Sequence, residues 1–230
     1  MEDLSVEHAL AAAFSHSSLN DLNQADIVGP PYNERDRKEK LGFAKDTLSQ
    51  LFALSESFSF VFDLVVHSVF VRPSKPGKTS LGAHGGSSSA AIGSIWLEVG
   101  SKITALDLTE MFIHELAHQL VFIDELNHTQ FNYSLIVKPE NFARSAILKR
   151  NRPLDKTVHS IVVGAYLVQA RNEFLNSHCA TLIHPTTESL KQDTLDSIES
   201  VQGLTNLNEL ITPHTRRFIE ESAVMCRAVP

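Results

Sequence analysis

The sequence is short of cysteine and has no long apolar run, and both shortages narrow the classes of protein to consider. Two cysteines, Cys179 and Cys226, occur in 230 residues, which is too few for the disulfide framework of a small secreted domain. No apolar stretch reaches the roughly 20 residues that cross a bilayer, and the acidic start at residues 1–5 has no hydrophobic signal segment. We therefore expect reduced thiols in a cytoplasmic protein that does not associate with membranes.

Basic residues are in the minority and are spread along the chain. The sequence has 20 Lys and Arg against 27 Asp and Glu, a net charge of -7, and its basic residues cluster only at 35–40 and 144–152. This balance argues against nucleic acid as a main partner. The hydrophobic fraction of 43% is typical of a globular core, and the length suits one domain.

The most informative stretch is His114-Glu115-Leu-Ala-His118, an HExxH pattern in an apolar segment. Residues four apart lie on one face of a helix, so the two imidazoles can bind the same metal ion. The intervening glutamate then faces the open side of that ion, where it can act on a bound molecule. The motif therefore predicts a metal-binding helix in which Glu115 is catalytic.

The residues around the motif predict the remaining elements. Residues 101–126 contain no Gly or Pro, and Asp107 followed by Glu110 reads as an N-cap with its capping-box partner. Aromatic and β-branched residues predict strands at 58–71 and 92–99. Residues 95–98 are expected to form the edge strand that binds peptide beside the metal in zincins. Between the strands, the Gly- and Ser-rich residues 73–93 form a connector or a loop over the site. Helices are expected at 6–14, 34–54, 139–150, 156–174, 187–201 and 206–223.

A site with two histidines normally takes a third protein ligand, and four residues are candidates. Asp124 has the metzincin spacing, but Val121 stands where that scheme needs a glycine. Glu140 is near the gluzincin distance, and Glu173 follows an asparagine, as the gluzincin glutamate does. His159 is a lone polar residue in an apolar helix, and the need for a partner favours it without closing the choice.

Residues 80–174 resemble the HExxH-motif enzymes that modify ribosomally made natural-product precursors, the 2-oxoglutarate-dependent peptide β-hydroxylases. The resemblance has three parts. Small residues run into a strand at 85–99, His-Glu-Leu-Ala-His follows on a helix, and Arg152-Pro153-Leu-Asp leads into a helix that carries His159.

The resemblance implies a mononuclear iron(II) centre and a 2-oxoglutarate co-substrate. Its metal ligands would be His114, His118 and His159, and the reaction would hydroxylate a side-chain Cβ of a precursor peptide. The distal carboxylate of 2-oxoglutarate needs a cation, preferably an arginine. The candidates for it are Arg152 first, then Arg144 and Arg150.

Two other functions fit the motif. One is a zinc metallopeptidase with Glu115 as general base on a bound water, and the other is a non-catalytic interaction protein that retains the helix. For the fold we expect α+β, a predominantly helical zincin-like domain with a small sheet beside the HExxH helix. One metalloenzyme domain is predicted over residues 1–230, with a helical part at 1–55, the metal-site core at 56–180 and C-terminal helices at 181–230.

Overall fold

The computed structural model describes residues 4–14, 28–75 and 84–230, most of which are helical. The described residues do not include residues 1–3 of the acidic start or residues 76–83 of the expected connector. The helices are α1 (Leu4–Phe14), α2 (Glu34–Leu54), α3 (Glu56–Val65), α4 (Ala105–Asn127), α5 (Tyr133–Ile136), α6 (Leu154–Ala170), α7 (Thr187–Gln202), α8 (Leu207–Leu210) and α9 (Pro213–Ala228). The strands are β1 (Ser68–Val71), β2 (Gly85–Ser87), β3 (Ser94–Leu97), β4 (Ala143–Arg144) and β5 (Asn151–Arg152). This composition confirms a mostly helical α+β fold.

The chain divides into two compact units by its internal contacts, Met1–Phe122 and Ile123–Pro230. The division falls within α4, between Phe122 and Ile123. The single-domain organisation stays a prediction. None of the helices in the described ranges is both long enough and apolar enough to span a membrane.

Local capping chemistry sets where two of the long helices begin. The Asn33 side chain accepts a hydrogen bond from the Asp36 backbone N–H (2.9 Å), which starts α2 where the sequence predicts. At α4 the expected cap is wrong. Thr104 takes the capping position, and Asp107 is its partner: Asp107 Oδ2 accepts from Thr104 N (2.8 Å), while Thr104 Oγ1 accepts from Asp107 N (3.1 Å).

The first predicted strand is wrong over most of its length. Residues 58–65 belong to α3, and only Ser68–Val71 of this stretch forms a strand. Ser55 caps α3 by accepting from Phe58 N (3.2 Å), and the rings of Phe58 and Phe62, one turn apart, lie 5.6 Å from each other. Aromatic residues four apart stabilise a helix, so this spacing outweighs their preference for strands.

The sheet of the first unit has the order β1-β3-β2. β3 pairs with β1 in parallel and with β2 in antiparallel, with Gly86 opposite Trp96. The expected edge strand at residues 95–98 is therefore wrong, because β3 is central and β2 forms an edge in the described part of the chain. On one side, Trp96 packs in a buried cluster with Phe14 of α1 and Phe70 of β1.

A buried ion pair fastens α1 to the rest of the first unit. Glu7 accepts from Arg72 Nε (2.8 Å) and from Arg37 Nε (3.0 Å), and both Glu7 and Arg72 are buried. A charge taken out of water needs such partners.

α6 is the most buried helix of the second unit, and α7 packs closely against it. A Cβ at Gly164 would lie 2.2 Å from Thr194 Oγ1, so a glycine permits this approach. The helix expected at residues 139–150 is wrong: after a single turn of 3₁₀ helix at Pro139–Asn141, the chain forms the hairpin of β4 and β5. Lys149, with a φ of 54°, takes the left-handed conformation in that hairpin. At the C-terminal end, Pro213 starts α9 afresh.

Candidate metal centre

The two motif histidines face each other on α4. His114 Nε2 and His118 Nε2 are 3.2 Å apart, and their ring centroids are 5.0 Å apart. Both side chains are partly exposed, whereas Glu115, Leu116 and Ala117 between them are buried. The helix therefore presents two imidazole nitrogens toward one point at a partly open position.

The spacing of these nitrogens suits a shared metal ion. Imidazole nitrogens bind zinc and similar ions at about 2.0–2.1 Å. Two such donors around one ion are therefore about 2.9 Å apart at a right angle and about 3.4 Å apart at a tetrahedral angle. The observed 3.2 Å between His114 and His118 lies inside that range, so this spacing would allow both nitrogens to bind one ion.

Glu115 is held against the sheet by a serine of β2. The Ser87 hydroxyl donates to Glu115 Oε2 at 2.8 Å, and both residues are buried. Burial disfavours the charged carboxylate and raises the pKa of Glu115 to about 8, although the hydrogen bond from Ser87 opposes that rise. The carboxyl group is therefore positioned by the sheet and able to exchange a proton near neutral pH in the metal-free chain.

Gln119 fixes the same helix to the start of β3. Its side-chain oxygen accepts from Gly93 N (2.8 Å), and its amide nitrogen donates to Ser94 O (2.9 Å). Gly93 has a φ of 86°, a conformation that residues with a Cβ rarely adopt. Glu115 and Gln119 are one turn apart, so this face of α4 binds the sheet while the adjacent face carries the two histidines.

Gly85 of β2 allows the close approach of the strand to the helix. A Cβ at this position would lie 2.1 Å from Met111 Cε, 2.9 Å from Trp96 O and 3.2 Å from Glu115 Oε1. Gly85 and Ser87 thus both face the Glu115 carboxyl group, as alternate residues of a strand do.

In the second unit, His159, the predicted third ligand, is buried close to Arg152, the first candidate for binding a carboxylate. His159 is in the second turn of α6, and its pKa is lowered to about 3, first by burial and then by the positive charge of Arg152. Thr157 Oγ1 contacts Ala143 O (3.1 Å) and Arg152 O (3.3 Å), which holds both hairpin strands against the start of α6. The neutral imidazole is the form that binds metals, and His159 as the third ligand stays a prediction.

The other three candidate ligands are in different surroundings. Glu140 is exposed in the 3₁₀ turn after α5, and Glu173 is exposed and accepts from Gln169 Nε2 (2.7 Å). Asp124 is on α4, which continues without a break through Val121, so the chain makes no metzincin-like exit from the helix. Asp124 instead bonds His214 and Gln130 of its own unit.

The three predicted arginines differ in burial. Arg152 is buried at the end of β5, whereas Arg150 is exposed. Arg144 is partly exposed, and its Nη2 lies 3.5 Å from Asp193 Oδ1 in an ion pair. Arg152 remains the first choice for a carboxylate ligand because burial strengthens a charge-assisted hydrogen bond.

Sequence reasoning did not identify Ser87 and Gln119 as residues that position the motif, and it assigned Gly85 to a connector or a loop over the site. The sequence does contain a signal for Gln119 and another for Gly85 and Ser87. A glutamine directly after HExxH in an otherwise apolar helix needs a buried partner, and a Gly-Gly-Ser run before a strand permits close backbone approach.

Comparisons with known proteins do not assign the chain to a family. No protein-family model matches it, and no curated protein matches it significantly. Membership in the peptide β-hydroxylases therefore stays a prediction.

Proposed function

We propose that the chain is a metal-dependent enzyme that uses the HExxH helix to hydroxylate a side chain of a peptide. The observation that carries the proposal is the 3.2 Å separation of His114 Nε2 and His118 Nε2, which fits one shared ion. The proposed cofactor is iron(II) with 2-oxoglutarate as co-substrate, and the proposed third ligand is His159. Iron(II), when bound, supplies the activation of dioxygen that inserts oxygen into a C–H bond.

The reaction balances with the co-substrate. One dioxygen and one 2-oxoglutarate convert a peptide C–H bond to C–OH and yield succinate and carbon dioxide. The protein's own part is to orient the reactants and to exclude water from them. Arg152 supports the proposal because it is a buried cation near His159, as a dicarboxylate co-substrate would need.

The surroundings of Glu115 support a peptide as substrate and a zincin-like arrangement of this unit. β2 lies against Glu115 through Ser87 and is an edge strand in the described residues. An edge strand can bind an extended peptide through its main chain. A peptide bound there would run past the Glu115 carboxyl group, which is placed to hold or move a proton at the substrate.

The test measures metal, co-product and peptide together. The iron(II)-loaded chain is incubated under air with 2-oxoglutarate and a peptide encoded beside its gene, and succinate and a peptide one oxygen atom heavier are measured. His114→Ala is expected to abolish both products, whereas His178→Ala, an exposed histidine of the second unit, is the matched control and is expected to change neither. If a chain that is shown to contain iron forms neither product, the hydroxylase proposal is contradicted.

A zinc metallopeptidase is the second candidate, favoured by the buried carboxyl group of Glu115 one residue from His114. Here Glu115 would take a proton from a water molecule during attack on a peptide bond. This function predicts cleavage by the zinc-loaded chain without oxygen, abolished by Glu115→Gln. Cleavage that needs neither oxygen nor 2-oxoglutarate would replace the first proposal by the second.

A further inference from the structure

A second group of metal-binding side chains lies in the Ile123–Pro230 unit, where α4 ends and α9 begins. We call Asp124, His128 and His214 the α4–α9 cluster. One potential ligand atom from each lies within 4.8 Å of the other two. Asp124 Oδ1 and Oδ2 are 2.9 and 3.0 Å from His214 Nε2, and Oδ1 is 4.0 Å from His128 Nε2. The two imidazole rings are 4.2 Å apart between centroids, with a tilt of 37°.

The backbone holds the α4–α9 cluster in place. Asp124 and His128 are one turn apart, and His128 N bonds Asp124 O (2.9 Å) at the end of the helix. The segment after His128 pairs with the segment before α9, through Thr212 N to Gln130 O (3.0 Å) and a bridge between Phe131 and Ile211. Both histidines are therefore carried by backbone that is itself hydrogen bonded.

Asp124 is oriented by a further contact and lies in an acidic environment. The buried Gln130 donates from Nε2 to Asp124 Oδ2 at 2.7 Å, as an outer partner of a metal-binding carboxylate would. The neighbouring Glu125 accepts from Tyr133 Oη at 2.8 Å. Asp124 and the adjacent Glu125 thus place two carboxylates at this end of α4, which favours a cation.

We propose that Asp124, His128 and His214 bind a divalent metal ion of the zinc type, with water completing its coordination. The Asp124–His214 distance already suits two donors of one ion. The His128 imidazole must move about 1 Å closer to complete the set, which its 53% exposed side chain permits. The carboxylate and imidazole donors suit zinc or nickel better than magnesium or calcium. Such an ion would join the end of α4 to the start of α9.

Arg217 is the group that opposes this ion. Its exposed Nη2 is 3.0 Å from His214 Nδ1, and arginine can only donate, so Nδ1 accepts and the proton is on Nε2, toward Asp124. Metal binding at Nε2 moves that proton to Nδ1, which ends the Arg217 contact. An exposed charge–dipole contact is worth at most about 1 kcal/mol, so Arg217→Gln is expected to tighten zinc binding by up to about fivefold.

The test separates this site from the HExxH helix. Zinc binding is measured by competition with a chromophoric chelator, using the full chain with His114→Ala and His118→Ala, so the result does not depend on the proposed function. One zinc equivalent is expected in this background. His128→Ala and His214→Ala are each expected to abolish it, and Asp124→Asn, which keeps the size of the side chain, to weaken it at least about tenfold. His178→Ala, the exposed control histidine, should leave it unchanged.

The decisive variant is His128→Ala. The His128 side chain is 53% exposed, and its Nε2 lies 4.0 Å from Asp124 Oδ1, so its removal should not affect folding, which circular dichroism checks. Retention of the zinc equivalent by folded His128→Ala would overturn the proposal, as would a folded background chain that binds no zinc. With cobalt in place of zinc, visible absorption bands that disappear in His128→Ala would support it independently.

Discussion

The close approach of β2 to the HExxH helix predicts opposite results for two adjacent glycines. Gly85 faces α4, and a Cβ there would lie 2.9 Å from Trp96 O and 3.2 Å from Glu115 Oε1. Gly86 points the other way, and the nearest atom to its added Cβ is Trp96 Cε3 at 3.4 Å, an ordinary contact. Gly85→Ala therefore forces the strand or the glutamate to move, and Gly86→Ala does not.

The difference in stability between Gly85→Ala and Gly86→Ala depends on which atoms lie next to each added Cβ. The tip of Met111 is 2.1 Å from the added Cβ of Gly85 but can rotate away, whereas the Trp96 carbonyl belongs to the paired backbone of β3. Overpacking of this kind costs about 1–3 kcal/mol. Gly86→Ala should be neutral or stabilise by up to about 1 kcal/mol, because alanine lowers the entropy of the unfolded chain. The two variants should therefore differ by about 1–4 kcal/mol.

Urea unfolding followed by tryptophan fluorescence measures this difference. Trp96 is the single tryptophan of the chain, and it is buried on the strand that β2 pairs with, so the signal reports on the unit that carries the substitutions. A lower urea midpoint is expected for Gly85→Ala and an unchanged or higher one for Gly86→Ala. Equal midpoints for the two variants would refute the packing of β2 on Glu115.

Three further predictions concern stability and thiol reactivity. Gly42→Ala, at a position of α2 where an added Cβ meets no atom within 4 Å, should raise the free energy of unfolding by about 1 kcal/mol in urea titrations. Glu7→Gln removes the charge between two arginines and should lower the free energy of unfolding by about 3 kcal/mol, with the exposed Glu39→Gln as control; equal values for both would contradict the buried pair. The exposed Cys179 should react with a disulfide reagent at pH 8. The buried Cys226 should react only after unfolding, because burial also raises the pKa of its thiol to about 11. If both thiols of the folded chain react equally fast, this prediction is wrong.

Elements fixed by neighbouring residues were predicted well. The bounds of α2 follow from Asn33 and from apolar residues at helical spacing, and both signals are local. At α3 two local signals compete, because aromatic residues favour strands while Phe58 and Phe62 also have helical spacing. Which signal prevails depends on Ser55 as a cap, and a serine before aromatic residues is a weak feature of the sequence.

The order of strands in the sheet was not predictable in the same way. The sequence indicates that β3 is a strand, but its central place depends on pairing with β1 and β2, which lie on either side of it in the sheet. β2 itself has only three residues, two of them glycines, so its composition indicates a loop. Its partner Glu115 is 28 positions away from Ser87, and spacing within a motif carries no information about such contacts.

The helix α4 continues past the HExxH motif, and it therefore carries both the HExxH histidines and Asp124 of the α4–α9 cluster. Without a glycine at position 121 the helix continues to Asn127. The metzincin spacing identifies Asp124, whose side chain in the structure bonds His214 and Gln130 of its own unit. At the end of the helix Asp124 is one turn from His128, and His214 reaches it from α9. The pair His114 and His118 and the pair Asp124 and His128 are thus two separate candidates for metal binding on one helix. The zinc titration of the chain without His114 and His118 tests the second pair alone.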